Sequence, residues 1–183
     1  NLIILILISC GGKNDERQSR KITSIKREEV ISKDVSKSID KWIEEFYPSA
    51  INRDEQRMEL EWFAKVAAPY RGLEIKSVAE GIKTHQWESE VLTKAFYEIT
   101  GIKVTHDIIG EGEIIDRLQR QIQTNRKLYD IYVNDADLVG THLRLNSALN
   151  FSEYMKGLGK KITNPMLDLD DFLNLEFGQD YNG

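Results

Sequence analysis

Residues 73–149 alternate in a way that leaves few folds open. LEIKSVAEG leads through a helical stretch to TGIKVTHDIIG, and through a second helical stretch to KLYDIYVNDADLVGTH. That is two successive strand–helix–strand crossovers. Parallel strands need such crossovers, so the expectation is an α/β fold, a parallel sheet with helices packed on its faces. In open sheets of this kind ligands settle outside the carboxyl ends of the strands. Here those ends carry Glu80-Gly81 and Asn134-Asp135-Ala136-Asp137. The pattern suggests a ligand-binding lobe rather than a catalyst.

The finer spacing predicts each element. The first strand carries Ile75 and Val78 and stops at Glu80-Gly81; Thr84 is placed to cap the next helix through its hydroxyl. Val91, Leu92, Ala95, Phe96 and Ile99 share one face of that helix, and Gly101 is the expected left-handed residue after it. Ile102, Val104 and Thr105 open the second strand, which continues at 108–110. A second helix starts with Glu111 and Glu113, where acids complement the positive end of the helix dipole. Its core face reads Ile114, Ile115, Leu118 and Ile122, and the third strand reads 129–133. Short helices are expected around 152–155 and from Leu167-Asp168 onward, with a break at Asn164-Pro165.

Upstream, Val35, Ile39, Trp42, Ile43 and Phe46 recur at helical spacing until Pro48. Asn52 with Glu55 resembles a capping signal for a second helix with the stripe Met58, Trp62 and Val66, closed by Pro69. Trp42, Phe46, Trp62 and Phe63 could form a sugar-stacking platform, but at helical spacing they read as packing residues. Residues 13–41 are rich in charge and serine, the composition of a mobile tether. Residues 2–8 are seven unbroken apolar residues, too few for the roughly 20 that span a bilayer and suited to the middle of a signal peptide. Leu7-Ile8-Ser9-Cys10 resembles the lipobox of bacterial lipoproteins, which implies a lipid anchor at Cys10. The expected organisation is a signal-peptide remnant over 1–10, a tether over 11–34, helices over 35–70 and an α/β lobe over 71–183. Because the chain starts at Asn1 and stops in a turn-like run, a fragment open at both ends is expected.

Composition removes several classes. The formal net charge is -5, with no basic footprint for nucleic acid. One cysteine, Cys10, rules out an internal disulfide framework. Gly110-Glu111-Gly112 lacks the third glycine and the basic residue of a phosphate loop, which speaks against nucleotides. His85, His106 and His142 lack the spacing of a zinc helix, and neither CxxC nor HExxH accompanies them, so no metal site is assigned. His106 alternates in a strand and reads as a packed or edge histidine, whereas His85 lies beside a strand end and could face the cleft. There is no nucleophile elbow. Asp135-Ala136-Asp137 is the strongest rival signal: a DxD after an apolar strand is how many glycosyltransferases hold the metal of a sugar nucleotide. The plainer alternative is that Asp137 caps the following helix. Glu80 with Asp135 or Asp137 would also pass for a glycosidase pair, a reading that turns on their separation. As carboxylates they equally suit a polyol, whose hydroxyls donate charge-assisted hydrogen bonds.

The phrase F-x-x-x-T-G-I-K-V at residues 96–104, followed by a helix and YDIYVNDADLVGTH, resembles the extracellular solute-binding proteins of bacterial ABC importers, in the carbohydrate and polyol branch. EWFAKVAAPYRGLEIKSVAEGIKTHQWES and NPMLDLDDF are similar to the glycerol- or sugar-binding subgroup, and the likeness spans residues 59–177. The resemblance implies a type II periplasmic-binding-protein-like fold of two α/β lobes joined by a hinge, of which this chain would hold the first. It implies a small neutral sugar or polyol as cargo, glycerol among them. It also implies ABC permease subunits in the membrane as partners, no cofactor, and a periplasmic or cell-surface location. On this pattern the ligand-contacting loops map to Glu80, Gly81, Thr84 and His85 after the first strand, and to Asn134, Asp135 and Asp137 after the third. Many relatives place an aromatic at the third strand's end where this chain has Asn134, and less stacking there would suit a small polyol. A sensor lobe that docks a protein partner is the third reading kept open, and an exposed apolar patch would mark it.

Overall fold

The computed structural model describes residues 6–7, 31–133 and 139–170. The chain divides into two compact units, one from Gly11–Glu74 and Glu90–Val104, the other from Asn1–Cys10, Ile75–Ser89 and Thr105–Gly183.

The first unit is helical. Helix α1, Lys33–Glu45, begins at Ser32, whose hydroxyl accepts from the Val35 amide, and it buries Val35, Ile39, Trp42 and Ile43, as its spacing predicts. Helix α2, Arg53–Ala67, carries the expected capping box. Asn52 Oδ1 accepts from the Asp54 and Glu55 amides, and Glu55 Oε2 accepts from the Asn52 amide at 3.1 Å. Its buried face is not the expected one. Met58 is exposed, while Gln56, Ala64 and Ala67 are buried and Leu60 and Phe63 pack on the core. Large side chains drew the sequence expectation, but small alanines let helix backbones approach closely, and that face turned inward. Phe46 and Phe63 join Trp42 in this core, as packing residues. Helix α4, Thr93–Thr100, adds Ala95 and Ile99 and ends at Gly101, left-handed at φ 72°. Glu98 on α4 accepts from Trp42 Nε1 at 2.7 Å and from Lys41 Nζ at 2.8 Å.

The second unit is built on a small sheet. Its parallel strands are β2 (Glu74–Glu80), β3 (Lys103–Ile109) and β4 (Ile131–Tyr132), ordered β4-β2-β3, so the chain is α/β as expected. The two-residue β1, Ile6–Leu7, pairs antiparallel with the outer side of β4. Ser77 and Val78 pair with Ile131 and Tyr132, and the Asp130 and Val133 amides donate to the Lys76 and Val78 carbonyls at 2.8 Å. Helix α5, Glu111–Thr124, covers one face: Ile114 and Leu118 pack with Val78, Tyr129 and Tyr132. Gln121 of α5 is buried, where Ile122 was expected. Its Oε1 accepts from the Leu128 and Tyr129 amides at 2.6 and 2.8 Å, and its Nε2 donates to the Tyr129 carbonyl at 3.1 Å. A polar side chain thus satisfies the backbone that leads into β4, which an apolar one could not do.

One local expectation changes. Helix α3, Lys83–Trp87, starts one turn edge earlier than Thr84 implied: Ile82 holds the N-cap position with extended backbone, and Thr84 lies exposed inside the first turn. A π turn, Glu88–Leu92, then links α3 to α4. At the far end, helices α6 (Val139–Leu145) and α7 (Phe151–Lys156) form, the latter capped by Asn150. The helix expected from Leu167-Asp168 onward falls mostly outside the described residues; within 167–170, Asp168 Oδ1 accepts from the Asp170 amide at 3.1 Å.

Candidate functional site

The order β4-β2-β3 creates a switch point. The first crossover carries the chain from β2 to β3 on one side, and the second carries it back past β2 to β4 on the other. In open sheets with such a strand order, ligands bind outside the carboxyl ends of the strands on either side of the switch. Glu80 ends β2 half-buried, and the Ile82 amide turns back to the Glu80 carbonyl at 2.9 Å. Gly81 is exposed, and a Cβ there would meet only ordinary contacts, the Ile109 carbonyl among them at 3.9 Å. Past β4, the Val133 amide donates to the Val78 carbonyl at 2.8 Å. Asn134, Asp135 and Asp137 lie outside the described residues, as does Cys10.

The expected site residues on the β2 side do not all point one way. Thr84 is exposed, whereas His85 is turned to Glu88, Nδ1 donating to Oε2 at 2.7 Å. His85 therefore stands on a helix rather than a loop, in a polar cluster that sequence reasoning did not assemble. His106, from the middle of β3, completes it. Its Nδ1 lies 2.6 Å from Ser77 Oγ on β2, and its Nε2 is 3.7 Å from Glu88 Oε2. Ser89 Oγ donates to the His106 carbonyl at 2.9 Å. Since Ser77 and Val78 alternate across the pleat, this cluster occupies the sheet face opposite α5. Burial lowers the His106 pKa, the carboxylate of Glu88 opposing that shift. The signal that could have found the cluster is His85-x-x-Glu88, which places both groups on one helical face.

A second buried network sits at β4. Tyr132 Oη bonds to His142 Nε2 on α6, whose Nδ1 reaches Ser147 Oγ at 2.9 Å. Desolvation pushes Tyr132 up to about 12 and His142 down. A third group, Arg117, Glu113, Tyr129 and Asp107, lines an open hollow of about 450 Å³ with Lys76. Its cation is bonded to Glu113 and Tyr129, which suits a structural network better than ligand capture. No family model matches the chain, and no curated protein or solved structure matches it.

Proposed function

We propose that this chain is the first lobe of a lipid-anchored solute-binding protein of an ABC importer, with a type II periplasmic-binding-protein-like fold, which captures a small neutral sugar or polyol such as glycerol. The observation that carries this reading is the switch point between β2 and β4. β2 ends at Glu80-Gly81, and in sequence β4 is followed shortly by Asn134, Asp135 and Asp137. Carboxylates and an amide at such strand ends can accept from and donate to the hydroxyls of a polyol without any perturbed acidity. A second lobe would close over the same strand ends, permease subunits would receive the cargo, and Cys10 would hold the protein at the membrane.

The test is thermal denaturation of the mature protein from Gly11 onward, second lobe included, against a panel of sugars and polyols. A ligand at a hundredfold over its Kd stabilises by about 2.7 kcal/mol. That corresponds to a rise of a few °C, less than the roughly 5–10 °C it would give a chain of 183 residues alone. Such a shift with glycerol or one sugar, lost in Asp135→Ala, supports uptake. A shift only with a divalent metal plus a sugar nucleotide would instead favour a glycosyltransferase using Asp135 and Asp137.

A further inference from the structure

We propose that His85, Glu88 and His106 bind a divalent transition-metal ion of the Zn²⁺ class. One ring nitrogen from each histidine and one carboxylate oxygen lie within 4.8 Å of one another. In a tetrahedral site with bonds of about 2.0–2.1 Å, donors sit roughly 3.3 Å apart. The distances from Glu88 Oε2, 2.7 Å to His85 Nδ1 and 3.7 Å to His106 Nε2, bracket that value. Small side-chain rotations, with the His85 proton moved from Nδ1 to Nε2, would bring all three donors onto one ion.

Three further observations point the same way. The His106 side chain is only 7% exposed, yet its Nε2 finds no hydrogen-bond partner among the described residues and faces the Glu88 carboxylate. A buried polar atom without a partner calls for an explanation, and an ion is one. Behind the ring, Nδ1–H donating to Ser77 Oγ would fix the tautomer that leaves the Nε2 lone pair free to coordinate. Metal-bound histidines almost always carry such an outer partner. The Glu88 side chain is 8% exposed and that of His85 12%, so the carboxylate is withdrawn from solvent with a single imidazole donating to it. A cation would balance this buried charge directly.

The donor set selects the ion. Two imidazoles and one carboxylate suit Zn²⁺, Co²⁺ or Ni²⁺, whereas Ca²⁺ and Mg²⁺ prefer oxygen throughout. Glu88 also opens the π turn Glu88–Leu92, an irregularity frequent at functional sites. An ion here would tie the start of α3 to the middle of β3. It would thereby brace the segment that follows Glu80 and Gly81. The inference stands independently of the transport reading.

The experiment strips the purified chain with a chelator, then titrates Zn²⁺ against a chromophoric competitor and records the visible spectrum with Co²⁺. One ion per chain is expected, with a tetrahedral Co²⁺ band. Glu88→Gln and His85→Ala should each weaken binding at least tenfold, and Ser77→Ala by about ten- to a hundredfold, as loss of an outer partner does. His142→Ala and Cys10→Ser should leave the affinity unchanged. His85→Ala removes a side chain from the first turn of α3, so it serves as the folded comparison should Glu88→Gln unfold. Binding that survives both Glu88→Gln and His85→Ala, or that is lost in His142→Ala or Cys10→Ser, would overturn the assignment, as would the absence of stoichiometric binding.

Discussion

Gln121→Leu tests whether one buried amide holds the start of β4. The Gln121 side chain is 1% exposed, and it meets three backbone groups, the Leu128 and Tyr129 amides and the Tyr129 carbonyl. Leucine keeps most of the volume and all of the burial, but offers neither donor nor acceptor. Each buried backbone group left without a partner costs about 1–3 kcal/mol. Leu128 is less enclosed than Tyr129, so water can reach its amide and the loss there is smaller. The gain from burying an apolar side chain offsets about 1 kcal/mol of the total. The expected net destabilisation is about 3 kcal/mol, or roughly 6–12 °C in Tm for a chain of this size. Urea denaturation followed by circular dichroism measures it, and hydrogen exchange should show lost protection at the Tyr129 amide. The exposed neighbour Gln123→Leu serves as the control and should fall within about 0.5 kcal/mol of the parent. If Gln121→Leu were as stable as the parent, the amide would be dispensable and the account of β4 wrong.

Three more outcomes follow from the same structure. Asn52→Ala removes the capping box of α2 and should cost about 1 kcal/mol in thermal denaturation, with Asn52→Asp close to the parent. The Lys41 and Trp42 hydrogen bonds hold Glu98 below its ordinary pKa of 4.5, so its contribution is present above that value and is lost as pH falls through the lowered folded value. Glu98→Gln should therefore cost on the order of 1 kcal/mol at pH 7, after allowance for solvent screening, and should flatten the acid limb of the stability curve. Burial sets His142 below its ordinary value of 6.5, so the folded chain resists protonating it. Stability should be full above 6.5 and decline as pH drops through that value toward the folded pKa, and His142→Phe should remove part of that slope in denaturation series from pH 8 to 5.

The sequence alone determined the α/β order, because period-two and period-3.6 apolar patterns alternate cleanly from 73 to 149. Local chemistry was equally legible. The Asn52 capping box and the left-handed Gly101 depend on a few adjacent residues, and both form as their motifs predict. What the sequence could not decide were choices made between distant segments. Met58 is larger and more apolar than Ala64, yet close helix packing favoured the small residue and left the methionine outside. Gln121 is polar, yet it is buried because the chain entering β4, seven residues on, needs its amide. Strand order is likewise nonlocal: nothing in β2, β3 or β4 taken singly says that the third parallel strand returns beside the first. That return places the topological switch point between β2 and β4. The pairing of β2 with β3 has a similar effect, because it sets Ser77 behind His106, twenty-nine positions away, and aims its free nitrogen at Glu88. Histidines read by spacing along the chain looked unrelated, because coordination depends on distance in space, and only the folded sheet brings strand and helix to within one ion's reach.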